Sequence, residues 1–158
     1  MRKSADERPI VHRTFSVERR YPSPPAHVFA AFADHATKRR WFVEGEGWAI
    51  DAFTMDFRVG GRETSRYRFR GGPSAGNDTI YLDIVPDRRI VFAYTMLAED
   101  RRISVSLATV EIAPLGDGTR LVYTEQGAFF EGADDPAGRE AGCRELFEKL
   151  GEELASNW

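Results

Sequence analysis

The chain has 158 residues, with 22 Lys and Arg set against 25 Asp and Glu and a formal net charge of −3. That length suits one domain with a sizeable core, and the slightly acidic balance provides no field to hold a polyanion, which disfavours general nucleic-acid binding. The longest apolar runs, such as 28–33, fall far short of the ~20 residues a bilayer requires, and the N-terminus has no apolar signal core, so no membrane insertion and a cytoplasmic location are expected.

Residues 1–8 are polar and mixed in charge, so they are expected to be a disordered tail ahead of one domain spanning 9–158. Val11, Phe15, Val17 and Tyr21 share one parity, which predicts a half-buried strand ended by Pro22, Pro24 and Pro25. Pro25 suits a first helical turn, and Val28, Phe29 and Phe32 carry a helix to Ala33. A second short helix is predicted over 35–42. Alternation of Phe53, Met55, Phe57 and Val59 predicts a strand before Gly60-Gly61, and Ser65, Tyr67 and Phe69 predict another before Gly71-Gly72. Four further strands are predicted at 79–85, 89–97, 103–112 and 120–130. Their connections are too short for parallel crossovers, so the seven strands form an antiparallel meander. Asp135 can cap a last helix with Pro136 at its first position, and Cys143, Leu146, Phe147, Leu150 and Leu154 make one apolar stripe. The fold class is therefore α+β, with helices packed on one face of a seven-strand antiparallel sheet.

Arg19, Tyr21, Pro24, Val28, Phe29, Trp41 and Phe42, with the block Asp56–Gly61, the Gly118–Leu121 strand entry and Gly142, together resemble the activator of Hsp90 ATPase homologue-like family. The resemblance covers roughly 11–155. It implies the START-like, or SRPBCC, helix-grip fold (Bet v 1-like), a curved sheet wrapped around a long C-terminal helix. Relatives in that superfamily mostly bind small hydrophobic ligands. The family often places a Trp after the glycine of the last helix, where this chain has Cys143, and a smaller side chain there enlarges the cavity. The extra N-terminal domain of the eukaryotic chaperone activators is not expected in this protein.

Arg19 and Glu125 fall on inward parities of the first and last strands, which are neighbours in a helix-grip sheet, so they could meet and anchor a ligand head group. The plainer reading is a structural ion pair or an exposed strand end. Asp83 shares parity with Tyr81 and Val85 and could join the same face. Arg66, Arg68 and Arg70 alternate on the other face from Tyr67 and Phe69, as a solvated convex sheet requires, and 38–40 (Lys-Arg-Arg) reads as a wet helix face. Cys143, the one cysteine, belongs to the apolar stripe, with Arg139 one turn earlier as a weak activator. His12, His27 and His35 are isolated, so neither a metal nor a cofactor is expected.

Nineteen aromatic residues, 11 Phe, 5 Tyr and 3 Trp, exceed the needs of one sheet-helix seam. Trp41, Phe57, Tyr67, Phe69, Phe92, Tyr94, Tyr123, Cys143 and Phe147, with Arg19 and Glu125, are the expected cavity lining. The expected function is non-catalytic binding of a small hydrophobic or aromatic ligand. The first alternative is a polyketide-cyclase or hydratase-like enzyme using Glu125, Arg19 and Tyr123, and the second is a chaperone-ATPase-activator-like interaction module. A homodimer is compatible with the sequence.

Overall fold

The computed structural model describes residues 8–157, so the expected disordered tail lies outside the described residues except for Arg8. Strand β1 (Ile10–Tyr21) is followed by helices α1 (Pro25–Ala33) and α2 (His35–Phe42). Six strands come next: β2 (Trp48–Met55), β3 (Arg62–Phe69), β4 (Ala75–Val85), β5 (Arg89–Ala98), β6 (Arg101–Leu115) and β7 (Gly118–Phe130). Helix α3 (Pro136–Asn157) closes the chain. The order across the sheet is β1-β7-β6-β5-β4-β3-β2, antiparallel throughout. This is the helix-grip topology, with the first and last strands paired.

Local chemistry explains the joints. Asp34 caps α2 by accepting from the Thr37 backbone N–H at 2.9 Å and the Thr37 hydroxyl at 2.7 Å, leaving the first turn with a satisfied donor. Asp135 does the same for α3 through the Ala137 N–H. The β3–β4 turn places Arg70 and Gly71 at φ 49° and 72°, the paired positive angles that let a tight hairpin follow the sheet's twist.

The concave face is covered by the helices and carries the apolar core. On it, Phe15, Val17, Leu121, Tyr123, Val110, Ile112 and Ile90 pack against Val28, Phe32, Trp41, Phe147, Leu150 and Leu154. Each large side chain removed from water there contributes ~1.5–3 kcal/mol. Tyr21 donates its hydroxyl to the Phe147 carbonyl at 2.7 Å, and Trp41 donates its indole N–H to the Ala31 carbonyl at 2.9 Å, so the buried polar ends of these rings are paired.

β2 and β4 begin well before their sequence pattern indicates. β2 runs from Trp48 to Met55, and Phe57 and Val59 lie beyond it. A register shift between Ile50 and Ala52 breaks the alternation that would have revealed the start. β4 begins at Ala75 rather than Thr79. A second bulge, between Tyr81 and Asp83, corrects the placement of Asp83: the extra residue flips parity, and Asp83 turns outward to pair with Arg89 at 2.6 Å. Arg66 and Arg68 face outward as expected, bridged to Asp78 and Asp51, each at 2.9 Å, whereas Arg70 lies beyond β3 in the turn, over the Phe69 ring.

Candidate functional site

The curved sheet and α3 leave a cavity of about 480 Å³, which α2 closes on one side. A space of this size suits a drug-sized molecule. Trp41, Phe42, Trp48, Phe92, Leu146 and Phe147 supply much of its apolar wall. Asp135, Gly138, Gly142 and Glu145 of the last helix and its approach line it while remaining exposed, and so mark the rim.

The register places its polar wall. Glu63, Thr79, Tyr94 and Ser106 lie directly opposite one another on β3, β4, β5 and β6, forming one row across the concave face. Strands are spaced ~4.8 Å apart, so this row extends about 14 Å along the sheet. A carboxylate-based cluster stands at each end.

At the β7 end, Glu125 is fully buried. It accepts from the Tyr94 hydroxyl at 2.9 Å to each oxygen, the Tyr123 hydroxyl at 2.6 Å, the Ser106 hydroxyl at 2.8 Å and Arg139 Nη1 at 3.3 Å. The Cys143 thiol lies at 3.8 Å. Arg139 also donates to the Tyr94 oxygen at 2.8 Å, to Ser104 at 2.9 Å and to Asp134. Burial and the Glu125 charge hold both tyrosine hydroxyls well above their ordinary pKa, with Tyr94 adding to the effect on Tyr123. Burial alone would lower the Arg139 guanidinium, but Tyr94, Asp134 and Glu125 together raise it. Burial, reinforced by Glu125, pushes the Cys143 thiol up to about 12. It is therefore a neutral thiol at pH 7, unsuited to nucleophilic attack.

At the β3 end, Lys38 reaches from α2 to Glu63, with Nζ 2.7 Å from Oε1; only 7% and 2% of the two side chains are exposed. Tyr81 donates its hydroxyl to the same Glu63 oxygen at 2.5 Å. The Lys38 ammonium also lies 4.8 Å from the centre of the Phe42 ring, a cation–π contact that holds it in place. This corrects the expectation of a wet basic face on α2: Lys38 points into the protein. Arg39 and Arg40 point elsewhere, to Glu44 and Glu153.

The predicted site residues divide accordingly. Trp41, Tyr67, Phe92, Tyr94, Tyr123, Cys143 and Phe147 line the cavity. Glu125 lies behind that wall, screened by the groups that donate to it. Arg19 does not meet Glu125: it pairs with Leu121 in register, four residues and ~13 Å along the strand from Glu125. Its guanidinium instead reaches the Arg144 carbonyl at 3.3 Å and Glu148 at 3.8 Å on α3. Phe57 packs outside the cavity against Phe29 and Tyr81. Phe69 is 46% exposed and stacks on Trp48. Lys38 and Glu63 are the functional candidates that sequence reasoning missed, and Arg139, read there only as a weak activator of Cys143, is instead the cation paired with Glu125. Arg139 had a usable signal, since it extends the α3 stripe one turn back from Cys143. Among the described residues no group of three His, Cys, Asp or Glu is placed to hold a metal, and no helix is long and apolar enough to cross a membrane.

Solved structures share this architecture. The Mll3558 protein from Rhizobium loti is 54% identical, with 92% of this chain and 99% of that one covered and a TM-score of 0.85. A protein from Rhizobium leguminosarum is 36% identical over 94% of this chain and 97% of its own, with a TM-score of 0.89. Protein CV1439 from Chromobacterium violaceum is 26% identical over 89% and 96%, with a TM-score of 0.75. No curated protein matches the chain. The family model that matches residues 22–155 is described as activator of Hsp90 ATPase homolog 1-like protein.

Proposed function

From a chain that belongs to the activator of Hsp90 ATPase homolog 1-like family, we propose a protein that binds a small hydrophobic or aromatic molecule in the cavity between its sheet and last helix, without transforming it. The observation that carries this reading is the roughly 480 Å³ cavity walled by aromatic rings. Burying a ligand's apolar surface against such walls supplies the affinity, and a few polar groups orient it. The state of Glu125 favours binding over turnover. A general base must reach its proton through a free lone pair, and this carboxylate is buried and already accepts from five side chains.

The test is thermal denaturation with neutral aromatic compounds, methyl 2-naphthoate among them. A ligand that binds only the folded state must raise the melting temperature. The Cys143→Trp variant fills the space beside Gly142 and is expected to remain folded while losing that response. Absence of a shift across a broad neutral aromatic and acyl set, in a protein that melts cooperatively, overturns the binding reading.

A further inference from the structure

The two ends of the polar row differ in how much hydrogen-bonding capacity they leave unused. Every hydrogen-bond site of the Glu125 carboxylate is occupied from within the protein. Around Glu63 the accounting is different. Its Oε1 accepts from Lys38 and Tyr81, whereas Oε2 accepts no hydrogen bond among the described residues. Lys38 can donate three hydrogen bonds and makes one among the described residues. Thr79, directly opposite Glu63 on β4, has an unpaired hydroxyl among the described residues. Beside it, the Asn77 carbonyl oxygen accepts from Ser65 and Tyr67, leaving its amide nitrogen unpaired there too.

Polar atoms that face a cavity keep their unused hydrogen-bonding capacity for whatever occupies it. None of these unpaired atoms is sealed inside the protein; the sealed and unpaired side-chain atoms among the described residues belong to Arg8 alone. Lys38, Glu63, Asn77 and Thr79 all line the cavity, so their unused capacity faces the space a ligand would fill.

We infer that this β3–β4 wall, rather than the Glu125 cluster, is where the ligand's polar group is recognised, and that the ligand is a neutral molecule with an aromatic or apolar body and adjacent hydrogen-bond acceptor and donor atoms, as in a carboxamide. The inference rests on the cavity-binding reading above. The acceptor takes a hydrogen bond from the Lys38 ammonium, and the donor gives one to Glu63 Oε2. Thr79 and Asn77 complete the contact from the sheet. Neutrality follows from the charges: Lys38 and Glu63 already cancel, and the cavity lining holds three basic side chains (Lys38, Arg139, Lys149) against four acidic ones (Glu63, Asp134, Asp135, Glu145). A ligand carboxylate would add a second anion beside Glu63, and a ligand ammonium a second cation beside Lys38. Either is disfavoured where water cannot screen it.

The experiment titrates the full-length protein with three probes of one shape: 2-naphthamide, which offers acceptor and donor; methyl 2-naphthoate, which offers acceptors only; and the 2-naphthoate anion. The amide is expected to bind at least about tenfold more tightly than the ester, as a hydrogen bond to a charged partner implies, with the anion weakest. Thr79→Val, which removes the hydroxyl with little change of shape, is expected to reduce the amide's affinity about threefold and leave the ester's unchanged. The paired change Lys38→Met with Glu63→Gln, which avoids stranding either charge, is expected to abolish the amide preference while the ester still binds. Equal binding of amide and ester to the wild type, or an amide preference that survives the paired change, overturns the recognition wall and leaves cavity binding standing. Failure of all three probes to bind the wild type overturns the recognition wall, and cavity binding falls with it only when the broad neutral aromatic and acyl set also gives no shift.

Discussion

Glu125 and Glu63 are both buried carboxylates on the concave face, yet among the described residues five side chains donate to the first and two to the second. The difference separates two uses of a buried charge. A carboxylate surrounded by donors is a structural joint: through Tyr94, Tyr123, Ser106 and Arg139 it ties β5, β7, β6 and α3 together. A carboxylate with a free oxygen facing a cavity retains the capacity to recognise something that is not part of the chain. Low dielectric strengthens the first network and makes the unused groups of the second costly to bury against a ligand that cannot pair with them.

The strongest way to break this comparison is Glu125→Gln. The amide removes the anion facing Arg139 and turns one acceptor into a donor amid hydroxyls and a guanidinium. The expected cost is about 3 kcal/mol, of the order seen when a buried charge loses its partner. In a chain of this length that lowers the melting temperature by about 6–12 °C, measurable by calorimetry. The Lys38→Met and Glu63→Gln pair, by contrast, is expected to change stability by less than about 1 kcal/mol, since replacing both members of a buried ion pair is often neutral. Similar losses in the two cases would show that both clusters are joints.

A smaller effect is expected at Asp34, which caps the helix that carries Lys38. Asp34→Ala is expected to cost about 1 kcal/mol and to weaken probe binding by loosening the first turn of α2, while leaving the Glu125 end untouched. The Thr37 hydroxyl and backbone N–H hold the Asp34 carboxyl below its ordinary pKa of 3.8. Because the folded-state value is the lower one, the cap's contribution is complete above pH 3.8 and is lost as pH falls through the folded-state value. Wild type and Asp34→Ala should therefore differ in stability at pH 7 and converge toward strong acid in denaturant titrations. A constant difference down to low pH would mean that the carboxylate is not the capping group.

Much of the fold was legible because strand parity and helix periodicity are local signals. The α3 stripe and the outward arginines of β3 follow from them; the pairing of the first and last strands came from the family resemblance alone, since the short connections by themselves predict a meander with β1 beside β2, whereas β1 lies beside β7. The site was less legible, for three physical reasons. Lys38 stands in a run with Arg39 and Arg40, and composition alone cannot show that one of three adjacent cations turns inward. Asp83 was misplaced by a bulge, which no alternation pattern announces. Arg19 has the expected parity, but the register sets it opposite Leu121 rather than Glu125, and register is a property of paired strands. Glu63 did carry a signal: it shares parity with Tyr67 and Phe69, both assigned inward, so the carboxylate belonged on the same face.

The smallest expected effect concerns the cavity rim, and it sharpens the comparison by separating stability from recognition. Gly142 lies within α3, and a Cβ built on it meets no heavy atom within 4 Å. Its backbone is not in the left-handed region, so alanine is compatible with the helix there. Gly142→Ala is expected to stabilise the fold by about 0.5–1 kcal/mol through reduced freedom of the unfolded chain and better helix propensity. The melting temperature should rise by roughly 1–4 °C. The added methyl group touches neither polar cluster, so the preference for 2-naphthamide over methyl 2-naphthoate should persist, even if narrowing the rim slows entry of both probes. A lost preference in this better-folded variant would place recognition at the rim, contrary to the assignment to the Glu63 wall.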